Sequence, residues 1–226
     1  MMHLPLRKIS SFFFRRPSRL VREININAAL IQWCAKYLTN NIFTRRFELY
    51  EFVNSSLSTK PIDYLEFGVY KGASILKWAE INKHPDSRFY GFDTFEGLPE
   101  SWDNVRLTHP QGTFDIHGNV PKSNDGRVKF VKGLFQDTLR PFLETFTTKN
   151  NLIVHNDSDL YSSTLYCLSQ MDSILRKGSV LIFDEFFCAP HEFQAFIDYT
   201  RAYRRKYRVL GAVGIKPYEQ IAIVLE

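Results

Sequence analysis

Cysteine is scarce in this chain. Cys34, Cys167 and Cys188 stand far apart, with no C-x-x-C pair among them. That spacing argues against a disulfide framework or a zinc site, and it suits free thiols in a reducing, cytoplasmic setting. Long apolar runs are missing as well, since nothing approaches the ~20 residues that a membrane-spanning helix needs. No G-x-x-x-x-G-K-[ST] loop is present, which speaks against an NTPase. A cleavable signal peptide is not expected either: Phe12, Phe13 and Phe14 are hemmed in by arginines and no small-residue cleavage site follows. Internal repeats and low-complexity segments are absent.

What remains has the composition of an ordinary globular protein, 44% apolar and 23% charged over 226 residues. That length is enough for one α/β domain with a full core and too short for two comfortable ones. Charge divides the chain unevenly. Residues 1–60 hold ten Lys/Arg against three Asp/Glu, and the remaining 166 hold nineteen against twenty-one. This suggests a basic, helical N-terminal extension over 1–60 and a second unit over 61–226. The basic excess is sharpest in RKISSFFFRRPSRLVR, residues 7–22. Such an arm fits contact with anionic lipid or nucleic acid, or packing on a partner subunit in a homo-oligomer built through the N-terminal helices.

Periodicity predicts helix from Asn27 to about Leu57, then alternating strands and helices. PIDYLEFGVYKG is a strand running into a glycine turn, and ASILKWAEINK is its helix. RFYGFD, RVKFVKG, NLIVHND and SVLIFDE are further strands, interleaved with QDTLRPFLETF and DLYSSTLYCLSQMDSILRKG. After the helix PHEFQAFIDYTRAYRRKY come two late strands, YRVLGAV and EQIAIVLE. The order implies a Rossmann-like, doubly wound sheet of seven strands, mostly parallel. The last two strands, joined by a few residues, are expected to pair antiparallel at one edge. Residues 96–127, rich in Gly and Pro, read as a long functional loop or lid.

In an open α/β sheet, ligands bind beyond the carboxyl ends of the strands, and the chemistry-bearing residues of this chain collect there. Glu66, Gly68 and Gly72 follow the first strand. The third glycine of G-x-G-x-x-G is lacking. Asp93, 27 residues after Glu66, ends the next strand, where a carboxylate can accept hydrogen bonds from ribose hydroxyls. These features fit a nucleoside-containing cofactor without separating NAD from S-adenosylmethionine. Asp157 and Asp159 alternate along an extended segment, and Asp184 and Glu185 leave the neighbouring strand. Converging carboxylates repel one another unless a cation or proton lies among them, and oxygen-only ligands suit Mg²⁺ or Ca²⁺. Asp159 is also read as the N-cap of the helix that begins at Leu160.

With those residues in view, the chain resembles the TylF-type, macrocin O-methyltransferase-like class I S-adenosylmethionine-dependent methyltransferases over about residues 42–225. The resemblance is carried, in order, by YLEFGVYKGAS, FYGFDTFEGLPESW, VKGLFQDTL, HNDSDLYSST and GSVLIFDEF. It implies an S-adenosylmethionine site formed by Glu66, Gly68, Gly72, Asp93, Thr94, Phe135 and Gln136. It also implies a divalent metal, Mg²⁺ by expectation, on Asp157, Asp184 and Glu185, with Asp157 as general base. Several relatives carry two aspartates where this chain has Asp184 and Glu185. His155 is an alternative base and His191 a weaker third candidate. The expected acceptor is a hydroxyl of a sugar or other small molecule, set by the loop 96–127 with His109, Phe114 and His117; no nucleic acid is expected there. Two other functions compete. An NAD(P)-dependent oxidoreductase would use the same sheet without explaining the carboxylates. A non-catalytic nucleic-acid or membrane-binding module would use the basic arm.

Overall fold

The computed structural model describes residues 19–37, 39–103, 108–214 and 218–226. Most of the basic arm and the turn at 215–217 therefore lie outside the described residues. Helix α1 (Arg19–Lys36) comes first, then a two-residue strand β1 (Ile42–Phe43) and helix α2 (Arg46–Ser56). The next elements are β2 (Ile62–Phe67), α3 (Ala73–Ile81), β3 (Arg88–Asp93) and a small hairpin of β4 (Trp102–Asp103) with β5 (Thr108–His109). Then follow β6 (Val128–Lys132), α4 (Phe135–Thr145), β7 (Asn151–Asn156), α5 (Tyr161–Met171) and β8 (Val180–Phe183). A π-helical turn (Ala189–Phe193) leads into α6 (Gln194–Ala202), β9 (Tyr207–Val213) and β10 (Gln220–Leu225).

The main sheet has the order β1-β9-β10-β8-β7-β2-β3-β6. From β2 the chain builds outward through β3 and β6, then returns to place β7 on the other side of β2, so the winding reverses between β2 and β7. Strands β2, β7 and β8 are buried along almost their whole length because helices cover both faces, which is why they read as nearly unbroken apolar runs. Alternation then splits their side chains. Leu65, Phe67, Val154 and Phe183 pack with Leu30, Leu139, Cys167 and Phe196 on one face. Ile62, Tyr64, Ile153 and Ile182 pack with Leu49, Tyr50, Ile75 and Trp78 on the other.

The α/β class and the mostly parallel sheet agree with the sequence, with two differences. The main sheet has eight strands among the described residues, the additional one being β1, which pairs parallel with β9. The late strands do pair antiparallel, but the antiparallel strand is not at the edge: β10 lies between β8 and β9 and runs against both. Its Ile221, Ala222 and Ile223 are fully buried, and an edge position would leave that apolar surface half covered. Packing does not break at residue 60 either. Strand β1 extends the sheet and α2 buries Leu49, Tyr50 and Val53 in the second core. Helix α2 starts where Glu48 accepts the Arg45 and Thr44 amides, which satisfies first-turn donors. Helix α1 covers the first core through Leu30, Trp33 and Cys34. Among the described residues, no helix is long and apolar enough to cross a membrane.

Candidate active site

A cleft of about 230 Å³ opens over the carboxyl ends of β2, β3, β6, β7 and β8, at the reversal between β2 and β7 where an open sheet leaves room for a ligand. Gly68 and Tyr70 follow β2. Asp93 and Thr94 stand at the end of β3, with Leu98 and Pro99 beyond them, and Leu134, Phe135 and Gln136 open α4 after β6. From β7 come Asp157, Ser158 and Asp159, and from β8 Asp184 and Glu185. Arg46 at the start of α2 lies across from the β8 carboxylates, 3.9 Å from Asp184.

Gly68 is fixed by two constraints. Its φ is +92°, and a Cβ there would stand 1.6 Å from the Asp157 carbonyl oxygen, so only glycine lets the β2 turn pass beneath the chain that carries Asp157. Gly72 has φ +83° and begins α3, but it does not line the cleft. Asp93 Oδ2 accepts the Val69 and Tyr70 amides at 2.7 and 2.8 Å, and Oδ1 accepts the Phe95 amide at 2.7 Å. The carboxylate therefore organises the glycine turn and still borders the cleft with a lone pair free on Oδ1. Thr94 closes the next turn by accepting the Glu96 amide and donating to Gly97 O.

Glu66 departs from the expected cofactor contact. It is 1% exposed, does not line the cleft, and accepts a hydrogen bond from the Tyr64 hydroxyl. His155, the register partner of Glu66 across β2 and β7, is equally buried, with Nδ1 2.7 Å from that same hydroxyl. Burial alone would strip a proton from His155, but Asp184 and Glu66 outweigh it and push the pKa up to about 10. Such a group is a poor proton acceptor near neutrality, and the ring does not border the cleft. His191 does not line the cleft either. It accepts the Tyr161 amide on Nδ1 and meets Asp103 O with Nε2 at 2.8 Å, tying the β4–β5 hairpin to the π-helical turn. Burial lowers its pKa.

The carboxylates do converge. Burial, then Asp184, raise Asp157 well above the usual carboxylate range. Burial and Glu185 push Asp159 to about 8, and burial with Asp184 pushes Glu185 to about 7. Asp159 does not cap a helix. Leu160 holds the N-cap position with no side-chain cap bond, while Asp159 adopts φ +59° and is turned into the cleft. The atoms close enough to share one ion belong to His155, Asp157 and Asp184, within 4.8 Å of one another. Glu185 falls outside that group, because successive residues at a strand end project to opposite sides; its amide donates to the fully buried Glu192. Asp184 accepts from Gln220 Nε2 and pairs with Arg46 and His155, but the raised Asp157, Asp159 and Glu185 show more negative charge than these donors offset, which fits a cation in their midst.

The described residues of 96–127 make more defined contacts than a bare loop would. Trp102 stacks on His109 at 4.8 Å, His109 lies against Phe114 at 5.9 Å, and Glu96 bridges to Asp115. Phe114 lines the cleft, whereas the His117 side chain is 87% exposed and pairs with Asp115. Of the residues that line the cleft, Arg46, Tyr70, Ser158 and Ser163 carried no signal in sequence. Tyr64 beneath it could have been noticed, because it alternates with Glu66 on one face of β2.

A family model described as Macrocin-O-methyltransferase (TylF) matches residues 44–210. The 8-demethyl-8-(2,3-dimethoxy-alpha-L-rhamnosyl)-tetracenomycin-C 4'-O-methyltransferase of Streptomyces olivaceus is 28% identical, over 68% of this chain and 62% of that protein. The chain thus spans about three-fifths of that relative's length. Among solved structures, the calicheamicin methyltransferase CalS11 is similar with TM-score 0.62 and 22% identity, covering 99% of this chain and 98% of its own. The O-methyltransferase NovP gives 0.58 and 19%, covering 79% and 78%. An O-methyltransferase from Bacillus cereus in complex with SAH gives 0.53 and 14%, covering 97% and 95%. At these identities the structural likenesses are of fold.

Proposed function

The chain belongs to the macrocin O-methyltransferase (TylF) family, and from that membership we propose that it is an S-adenosylmethionine-dependent O-methyltransferase acting on a hydroxyl of a sugar or other small molecule. One observation carries the proposal. A glycine turn organised by Asp93, a wall of Phe135 and Gln136, and the carboxylates Asp157 and Asp184 share a single cleft. The names of the relatives, a rhamnosyl-tetracenomycin 4'-O-methyltransferase and CalS11, a TDP-rhamnose 3'-O-methyltransferase, support a sugar hydroxyl as acceptor. The buried free cysteines support a reducing, cytoplasmic setting. No observation favours the oxidoreductase or the binding module.

When bound, the cofactor supplies a methyl group already activated on a sulfonium, and a divalent ion supplies positive charge that lowers the pKa of an acceptor hydroxyl. The chain's own contribution is placement. The free lone pair of Asp93 would accept from the ribose hydroxyls, and the Gly68 turn would let main chain approach the methionine end. Phe135 and Gln136 would flank the adenine. Asp157 and Asp184 would hold the ion, with Glu185 at the rim. Asp157 would accept the proton of the attacking hydroxyl, with a bound ion keeping its carboxylate ionised against the burial that otherwise favours its protonated form. Phe114, Leu98 and Pro99 form the apolar wall that excludes water from the acceptor.

Calorimetric titration with S-adenosylhomocysteine, with and without millimolar Mg²⁺, tests this on wild type, Asp93→Ala and Asp184→Ala. The expected result is binding that is weakened in Asp93→Ala, and an ion effect that is lost in Asp184→Ala. Binding of NADH in place of S-adenosylhomocysteine would overturn the proposal.

A further inference from the structure

Several buried polar atoms beneath the cleft lack a hydrogen-bond partner, Asn156 Oδ1 and Nδ2 and Gln220 Oε1 among them, and so does His155 Nε2, which faces a carboxylate. The atom forms no hydrogen bond of normal geometry but lies 3.4 Å from Asp184 Oδ1 as an ion pair, and a ring nitrogen of His155 belongs to the group of ligand atoms shared with Asp157 and Asp184. The opposite ring nitrogen is committed. The single Tyr64 hydroxyl proton goes to the Glu66 carboxylate, which can only accept, so the hydroxyl oxygen accepts from His155 Nδ1–H. That places a proton on Nδ1 and turns Nε2 toward Asp184, where a bound cation would take the place of the second proton that the carboxylates hold on the ring. The arrangement is held by the sheet itself: Glu66 and His155 are register partners on β2 and β7, and Tyr64 precedes Glu66 by two residues on the same face. An imidazole whose far nitrogen is anchored, through a hydroxyl, to a carboxylate is oriented as proteins orient a metal-binding histidine.

We propose that His155 Nε2 is a nitrogen ligand in a cation site completed by Asp157 and Asp184, and that this mixed set selects a transition-metal ion such as Mn²⁺ over Mg²⁺. Imidazole suits first-row transition metals, whereas Mg²⁺ is held by oxygen and water. Tyr64 and Glu66 are positioning residues that act through the ring. The inference rests on the methyl-transfer reading only in taking the cleft to hold a cation.

The test uses the full chain with MnCl₂ and MgCl₂ as probes. Calorimetry measures both affinities, pulsed electron paramagnetic resonance looks for ¹⁴N coupling to bound Mn²⁺, and S-adenosylhomocysteine is titrated in parallel. Wild type is expected to bind Mn²⁺ more tightly than Mg²⁺ and to show a ¹⁴N signal. Tyr64→Phe should weaken Mn²⁺ by about 10–100-fold, the usual effect of losing an orienting partner. His155→Asn should abolish the nitrogen signal and narrow the preference between the ions. Should His155→Asn fail to fold, the wild-type spectrum and Tyr64→Phe still decide the matter. Mn²⁺ bound without nitrogen coupling would sink the proposal, as would S-adenosylhomocysteine binding while neither ion binds. A nitrogen-coupled Mn²⁺ site in a chain that does not bind S-adenosylhomocysteine would instead overturn the methyl-transfer reading and leave this site standing.

Discussion

The two ends of the central sheet treat buried acid in opposite ways. At the amino end of β2, the fully buried Asp63 carboxylate accepts Arg88 Nε and Nη2 at 2.8 Å each. It also accepts the Lys149 and Asn150 amides and the Asn150 side chain. Burial disfavours its charge, but these donors win and its pKa is lowered. At the carboxyl end, Asp157, Asp159 and Glu185 are raised because burial and one another's charges find few donors. Residue type is the same; satisfaction differs. A carboxylate with all its donors in place stabilises the fold, while a cluster without them is held in reserve for something from outside.

The largest effect that would break this contrast is expected at the reacting end. Asp157→Asn keeps the shape and removes the base, so steady-state kinetics should show kcat down by about 10²–10⁴-fold, with the melting temperature unchanged or raised. A variant with normal turnover would show that Asp157 is merely one more buried acid. At the other end the outcome reverses. Asp63→Ala strands Arg88 and the two amides, and chemical denaturation should show a loss of about 3–5 kcal/mol. Affinity for S-adenosylhomocysteine should be retained in whatever fraction remains folded.

That asymmetry also governs what could be read from sequence. Strands β2, β7 and β8 were visible because two-sided burial leaves an unbroken apolar run, and the cleft was visible because ligands gather where such runs end. Side-chain satisfaction was not visible. Glu66 and Asp93 both look like cofactor ligands in a linear motif, yet only Asp93 borders the cleft, because β-strand alternation and the Tyr64 hydroxyl turn Glu66 inward. Asp159 has the spacing of a helix cap, but the left-handed backbone at that position aims it elsewhere. The place of β10 inside the sheet depends on which neighbour covers it, and a hairpin pattern alone carries no such information.

Titration sharpens the comparison, since the two ends respond to opposite pH changes. Asp63 has a lowered pKa, so its contribution is present above the unfolded value near 3.8 and is lost as acid carries the pH down through the folded value. Asp159 is raised to about 8, so its contribution is full below the unfolded value and is lost as pH rises through that higher one. Asp159→Asn keeps a residue tolerant of positive φ. Its stability relative to wild type should climb by about 1.4 kcal/mol for each pH unit between about 4 and 8. Melting curves across that range in the absence of divalent ions measure the slope. A flat difference would mean that the cluster already has its counter-charge within the chain.

The smallest effect belongs to a charge pair at the same carboxyl rim that is wet. Lys132 Nζ lies 3.0 Å from Glu96 Oε1, with the two side chains 44% and 65% exposed. It also donates to Gly118 O at 3.2 Å, joining the end of β6 to the loop over the cleft. Water and salt screen such a pair, so Lys132→Ala should cost no more than about 1 kcal/mol, and less in high salt. The variant separates position from burial. It shares the rim with Asp157 and Asp159 but not their desolvation, so its pH–stability profile should follow wild type. Should Lys132→Ala alter the alkaline limb as Asp159→Asn does, the penalty at the carboxyl end would come from net charge along the rim rather than from carboxylates buried without donors.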